Sequence, residues 1–567
     1  MTLAHSSATP WWKDSTVYQV YPRSFQDTNG DGIGDIPGIT RRVPYLADLG
    51  VEIVWLSPVY RSPMRDNGYD IADYDAIDPM FGSMDDIDEL ISALHARGMK
   101  LVMDLVVNHT SSDHPWFIES QDPSSPKRDW YIWRAARSEC QPDENAGPGQ
   151  WRGDEPNQWR SAFSGPVWSW HNESQSYYMH LFAPEQPDLN WENPEVRQAI
   201  YAMMRRWCDR GVDGFRMDVI NLISKPDNLY EDGPGGLDRA MFGPRFHDYM
   251  QEMHREVFDA YPDCVFFTVG EAPGATPDQA SLTSHPERRE LDMVFQFEHM
   301  GLDSRDGDKF HPRALHLPDM KRNLAHWTRS LHNRGWNSLY LSNHDQPRPV
   351  SRYGNDLTYR HESACAWGAM LHAHQGTPFV YQGEELGMGN FPWQDLHQFN
   401  DLETLNYWRE CVELGGQQPD QVWPGIVAMS RDNARTPLQW DDSDHGGFTT
   451  GTPWLPVHPA YTHVNAAQQT ADPSSTFSFY QRMIALRKEH PILVDGTFML
   501  LHEDDQRLWW VRREWDGHVL EALANMSDEA YEIECPEGEI LLSNYPDAHE
   551  QRDSGVLRPW ETLWILR

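Results

Sequence analysis

Short apolar runs recur along this chain, each followed by loop residues and then by an amphipathic helical pattern. Val17–Tyr21, Ile53–Leu56, Leu101–Val107, Gly214–Val219, Val265–Val269, Val294–Phe297, Ser338–Leu341 and Pro378–Tyr381 read as strands. Met84–Arg97, Pro194–Arg210 and Arg245–Phe258 read as helices between them. Strands alternating with helices imply parallel βαβ units. Eight strand candidates with no central switch in the pattern predict a closed (β/α)8 barrel of the α/β class, a TIM barrel, in preference to an open sheet.

Two stretches interrupt the rhythm. Residues 109–180, rich in Trp, Pro, Ser and Asn, read as a small inserted domain after the third strand. Residues 384–456 read as a long, partly helical insertion after the eighth. The barrel then spans 1–108 and 181–490. Beyond a helix at Ser475–His490 the pattern becomes alternating, as in Leu508–Glu514 and Gly517–Met526, so residues 491–567 are expected to form an antiparallel β domain.

A length of 567 residues accords with several domains. Lys and Arg total 47 against 86 Asp and Glu, a formal net charge of −39. So acidic a surface repels nucleic acid and anionic membrane and disfavours phosphorylated ligands, which leaves a neutral small molecule. The 25 tryptophans agree with a carbohydrate, because sugar faces stack on flat rings, although most such residues pack cores. Six dispersed cysteines with no CxxC or close Cys/His cluster indicate neither a zinc site nor a disulfide framework. Cys208 and Cys264, in apolar runs, are expected to be buried thiols. The start MTLAHSSATPWW lacks the features of a signal peptide, and no apolar run approaches about 18 residues. The expectation is a cytoplasmic enzyme, monomeric or weakly homo-oligomeric, with no organic cofactor and no membrane or nucleic-acid partner.

Polar residues cluster just past the strand ends, which in a barrel is the catalytic face. DLVVNHT carries Asp104, Asn108 and His109, GFRMDVIN carries Arg216 and Asp218, TVGEA carries Glu271, and SNHDQPR carries His344 and Asp345. Any one such Asp is ordinarily a helix cap. Capping does not explain why strand after strand ends in acid, histidine or arginine. Retaining glycoside hydrolysis needs a carboxylate nucleophile and a carboxylic acid about 5–5.5 Å apart. Arg216 shares a strand side with Asp218, where its charge is expected to keep Asp218 ionised.

At these residues the chain resembles glycoside hydrolase family 13, the α-amylase family. QPDLN at 186–190, DNGYD at 66–70 and RDNARTPLQW at 431–440 resemble its oligo-1,6-glucosidase group, and the similarity runs from VYQVYPRSF at 17–25 into the β tail. The resemblance implies a retaining, exo-acting α-glucosidase with some transglucosylation. In it Asp218 is the nucleophile, Glu271 the general acid/base, and Asp345 binds the sugar's 2- and 3-hydroxyls. It further implies that His109, Arg216 and His344 contact the glucose and that Tyr69 gives it a stacking platform. Asp66 and Arg431 pair to grip its 4-hydroxyl, and Phe163, Phe182 and Gln186 line the pocket. Val219, directly after the nucleophile, accompanies α-1,6 preference in that group. DTNGDGIGD at 27–35 alternates oxygen ligands with glycines, and the resemblance assigns it a structural calcium held by Asp27, Asn29, Asp31, the Ile33 carbonyl and Asp35.

Two departures stand out: a longer segment at 137–155, and Gly301 where FEHMDLD commonly has Asp. Both are expected to touch the leaving-group side. Two rival readings compete. A sucrose isomerase or trehalose synthase of the same family is disfavoured by GLDSRDGD at 301–308 and by Gln186. A non-catalytic transporter-accessory relative is disfavoured because Asp218, Glu271 and Asp345 are all present and no membrane helix is evident.

Overall fold

The computed structural model describes residues 10–138, 140–229, 233–551 and 554–567. Its central sheet is parallel and runs in chain order: β1 Val17–Val20, β2 Ile53–Leu56, β3 Lys100–Val106, β4 Gly214–Asp218, β5 Phe267–Glu271, β6 Met293–Phe295, β7 Ser338–Leu339 and β8 Thr377–Tyr381. β1 pairs with both β2 and β8. A parallel bridge between Val294 and Asn337 joins β6 to β7 and closes the barrel. Each strand is followed by a helix: α1 Ile36–Leu49, α2 Met84–His95, α3 Pro194–Arg210, α4 Phe246–Val257, α5 Pro277–Thr283, α6 Leu317–Leu331, α7 Arg360–His372 and α8 Thr476–Glu489.

Local chemistry sets these elements. Asp35 caps α1 by accepting from the Gly38 amide, and Gly50, at φ 91°, ends it. Ser83 and Asp86 form a capping box at the start of α2. Successive side chains on a strand point to opposite faces, so residues two apart share one. Val17, Ile53, Trp55, Val102, Phe267 and Phe379 pack together inside the barrel, while Tyr18, Val20, Val54, Leu56, Leu101 and Met103 pack outward with the helices. Both faces are covered, which is why the strands read as near-continuous apolar runs.

Several boundaries differ from the sequence expectation. β5 begins at Phe267, after a turn in which the Cys264 amide bonds the Tyr261 carbonyl. Val265 is consequently 64% exposed and Cys264 is exposed, not buried, whereas Cys208 is buried as expected. β6 and β7 stop early because side chains take over their backbone groups. The Tyr340 hydroxyl donates to the Gln296 carbonyl, and His299 contacts the Tyr340 carbonyl.

Between β3 and α3, strands Trp133–Arg134, Ser176–Met179 and Trp168–His171 form a small antiparallel sheet. Between β8 and α8, helix Leu402–Trp408 runs into a π-helical turn at Arg409–Leu414, followed by helix Pro419–Met429. After α8 come β9 Thr497–Leu501, β10 Leu508–Trp515, β11 His518–Asn525, β12 Glu539–Ser543 and β13 Thr562–Leu566, antiparallel in the order β9-β10-β11-β13-β12. Among the described residues no helix is long and apolar enough to cross a membrane.

Two buried cations pin this last sheet to the barrel. Lys321 on α6 donates to the carbonyls of His502, Asp505 and Leu508 at 2.6–2.9 Å. Arg513 on β10 donates to those of Ala373, Leu493, Gly496 and Thr497 at 2.9–3.0 Å. Arg513→Met strands several buried acceptors and is expected to cost on the order of 3 kcal/mol. Calorimetry should show a Tm lower by several degrees with KM unchanged; an unaltered Tm would contradict the anchoring role.

Candidate active site

The barrel register places Arg216 on β4 opposite Asp104 on β3 and Val269 on β5. Arg216 is buried, its guanidinium carbon 5.0 Å from the Trp55 ring. Its Nη1 donates to Asp104 Oδ1 at 2.8 Å and to Asp218 Oδ1 at 2.7 Å, and its Nη2 donates to Glu271 Oε2. Asp104 also accepts from Trp55 Nε1 at 3.1 Å and the Tyr69 hydroxyl at 3.0 Å. The expectation that the charge of Arg216 keeps Asp218 ionised is not met, because one guanidinium is divided among three carboxyls and does not offset the burial of Asp218.

That sharing governs protonation. Burial raises the pKa of Asp218 well above the usual carboxylate range. Arg216 opposes this, and the charges of Glu271 and Asp104 and a hydrogen bond to Glu271 add to it. Burial likewise raises Asp104, to about 6, against the pull of Arg216, so one cation does not offset the burial of both aspartates. Glu271 Oε2 accepts from Arg216 and from the Val219 amide at 3.1 Å.

Val219 makes that amide contact from a left-handed conformation, φ 34° and ψ 41°. For a β-branched residue this is a true outlier, costing on the order of 1–3 kcal/mol. The turn aims the amide at Glu271 and leaves the side chain at the cavity wall.

Above the cluster opens a cavity of about 220 Å³. Asp218, Val219, Glu271, Asp345, Asp66, Tyr69, His109, Phe163, Phe182, Gln186, His344 and Arg431 all line it, while Arg216 lies beneath its floor. Tyr69 and His344 stack with ring centres 4.9 Å apart. Gln19 donates to His344 Nδ1 at 2.9 Å, which directs the Nε2 proton toward Asp345, 3.2 Å away. Burial pushes His344 down to about 3, so it stays neutral. Burial alone would raise Asp345, but Arg431 and Arg435, at 3.2 and 2.8 Å, hold it well below the usual range. One end of the cavity is closed: Arg431 meets Asp66 at 3.3 Å, and Gln186 Nε2 donates to Asp66 at 3.1 Å. Asp401 braces Arg431 from behind at 2.7 Å.

The α-amylase catalytic-domain model matches residues 19–496 of this chain. The chain belongs to the α-amylase family. It is 50% identical to an oligo-1,6-glucosidase of Parageobacillus thermoglucosidasius over 97% of this chain and 98% of that one. It is 45% identical to a glucan 1,6-alpha-glucosidase of Streptococcus pneumoniae, covering 98% and 99%. The crystal structure of Bacillus licheniformis trehalose-6-phosphate hydrolase superposes with a TM-score of 0.90 at 40% identity, covering 98% and 100%.

In this α-amylase-family chain three lining residues escaped the sequence reading: Lys309, Gln346 and Glu403. Lys309 follows GLDSRDGD directly and pairs with Glu403, from the second insertion, at 2.6 Å. Conversely, neither Gly301 nor any described residue of 137–155 lines the cavity. That segment instead packs its Gly149 backbone against Gly165 and Pro184, on the outside of the aromatic wall.

The 27–35 loop also lies apart from the cavity. Its side chains form a ladder: Asp27 accepts from the Asn29 amide, Asn29 from Asp31 and Asp31 from Ile33, each at 2.9 Å. Gly32, at φ 89°, is required there, since a Cβ would lie 1.8 Å from the Thr452 carbonyl oxygen. Among the described residues no group of three or more His, Cys, Asp or Glu is close enough to hold a metal by itself, so a cation here needs Asn and carbonyl oxygens as well.

The charge of Asp104 on Asp218 makes a prediction. Asp104→Asn removes one of the negative charges that raise Asp218, so Asp218 should ionise at lower pH. The acidic limb of the pH–rate profile should move to lower pH, with a loss of kcat. An acidic limb that stays put or moves up would contradict the three-carboxyl cluster.

Proposed function

We propose that this protein is a retaining, exo-acting α-glucosidase that releases glucose from the non-reducing end of short α-1,6-linked oligosaccharides. The observation that carries the reading is the pairing of two carboxyls on one guanidinium at the floor of a cavity closed at its far end. Asp218 attacks the anomeric carbon while Glu271 protonates the departing glycosidic oxygen, giving a β-glucosyl ester. Glu271 then takes a proton from water, which cleaves the ester and restores the α configuration. A second sugar in place of water gives transglucosylation. Asp345, ionised beside two arginines, receives hydroxyl donors and faces the positive charge that develops on the ring.

The leaving-group side favours a neutral sugar. Lys309 is neutralised by Glu403, and Arg431 is engaged by Asp66, Asp345 and Asp401, so no cation among the lining residues is left for a phosphate. The six cysteines stand as thiols, in keeping with a cytoplasmic location.

Linkage choice rests on Val219. Its branched side chain crowds a leaving sugar held by a direct α-1,4 bond, whereas the extra methylene of an α-1,6 bond lets the sugar swing clear. Isomaltose should exceed maltose in kcat/KM by about 10–200-fold, and Val219→Ala should narrow the ratio. A wild type preferring maltose, or an unchanged ratio in the variant, would refute it.

The 27–35 loop fits a structural calcium. Asn29 Oδ1 and Asp31 Oδ1 each accept one amide and keep a lone pair for a cation, while Asp27 Oδ1 accepts from both Asn29 and Gly30. Asp27, Asn29, Asp31, the Ile33 carbonyl and Asp35 would hold it, tying the loop to Thr449, which donates to Asp27. Chelation should lower Tm by several degrees while the surviving enzyme keeps its rate. An immediate, reversible loss of turnover would place the ion in catalysis instead.

A further inference from the structure

The two insertions that flank the cavity are tied to each other outside it. In the first, Arg160 bridges to Pro166 and the Ser161 amide bonds the Gly165 carbonyl, making a tight hairpin that holds Phe163 at its tip. Ser164 and Gly165, at φ 76° and 78°, reverse the chain there. In the second, helix Leu402–Trp408 and its π-helical continuation carry Glu403, Asn406 and Glu410 at spacings of three and four, which puts them on one face. Glu403 points into the cavity. Asn406 Nδ2 donates to the Phe163 carbonyl at 3.0 Å, and Glu410 Oε1 accepts from Arg160 Nη2 at 2.5 Å. Arg160, Asn406 and Glu410 do not line the cavity; Phe163 and Glu403 do. The Phe163 ring in turn covers Arg431, its centre 5.0 Å from the guanidinium carbon.

We propose that Arg160, Asn406 and Glu410 are positioning residues that clasp the two insertions together and hold the Phe163 wall over the glucose site. The clasp touches no reacting atom, so it governs ground-state binding and not the chemical step. It is also weakly built: the side chains of Arg160 and Glu410 are 53% and 45% exposed, so salt screens their attraction.

The catalytic part of this inference rests on the α-glucosidase reading, and the test separates the two. R160E, E410R, the swap R160E/E410R and N406A are compared with wild type by steady-state kinetics on isomaltose and by hydrogen exchange of segments 158–168 and 402–414. R160E and E410R should each raise KM about two- to fivefold, with kcat within about twofold, and the swap should restore KM. N406A should raise KM in the same way, but with no dependence on salt. Hydrogen exchange needs no substrate. R160E should speed exchange in the opposite segment, 402–414, as well as in its own, and the swap should reverse both. Exchange confined to the mutated segment, or a swap no better than the single variants, overturns the clasp. A wild type inert on every α-glucoside overturns the enzymatic reading and leaves the exchange result to judge the clasp alone.

Discussion

One guanidinium beneath three carboxyls is the constraint around which the site is organised. Arg216 is buried in the barrel, where an unpaired charge is prohibitively costly, so carboxyls must meet it. The register of β3, β4 and β5 supplies them from neighbouring strands. One cation shared among three buried carboxyls leaves Asp218 and Asp104 raised above the usual carboxylate range. The barrel geometry and the electrostatics of the site are thus one arrangement.

Labour is divided between barrel and insertions. The carboxyls proposed to react come from the ends of β4 and β5, strands paired on both sides. The rest of the cavity lining comes from elsewhere: Asp66 and Tyr69 after β2, Phe163, Phe182 and Gln186 from the first insertion and its exit, and Arg431 and Glu403 from the second. Loops held on a rigid scaffold can change what is bound without disturbing how it is cleaved.

The same division explains what was legible in the sequence. Strand-end residues were readable because an apolar run, its terminal charge and the helix after it are all local signals. Segments such as QPDLN and DNGYD were readable only through family resemblance. Lys309 sits in the small hairpin after β6 and Glu403 on a helix of the second insertion, far apart in sequence; only the folded chain brings their side chains together. Asp401 caps its helix, accepting from the Glu403 and Thr404 amides, and also braces Arg431, a partner that no local signal announces. The misplaced burial of Cys264 has a simple origin, since an apolar run does not reveal where the preceding turn ends.

The turn at Val219 has an evolutionary consequence. A β-branched residue held at φ 34° is a standing liability to the fold, and glycine at that position would relax it. Stability alone therefore does not account for valine at this position. Under the proposed linkage role, the identity of this one residue records the sugars encountered and not the durability of the protein.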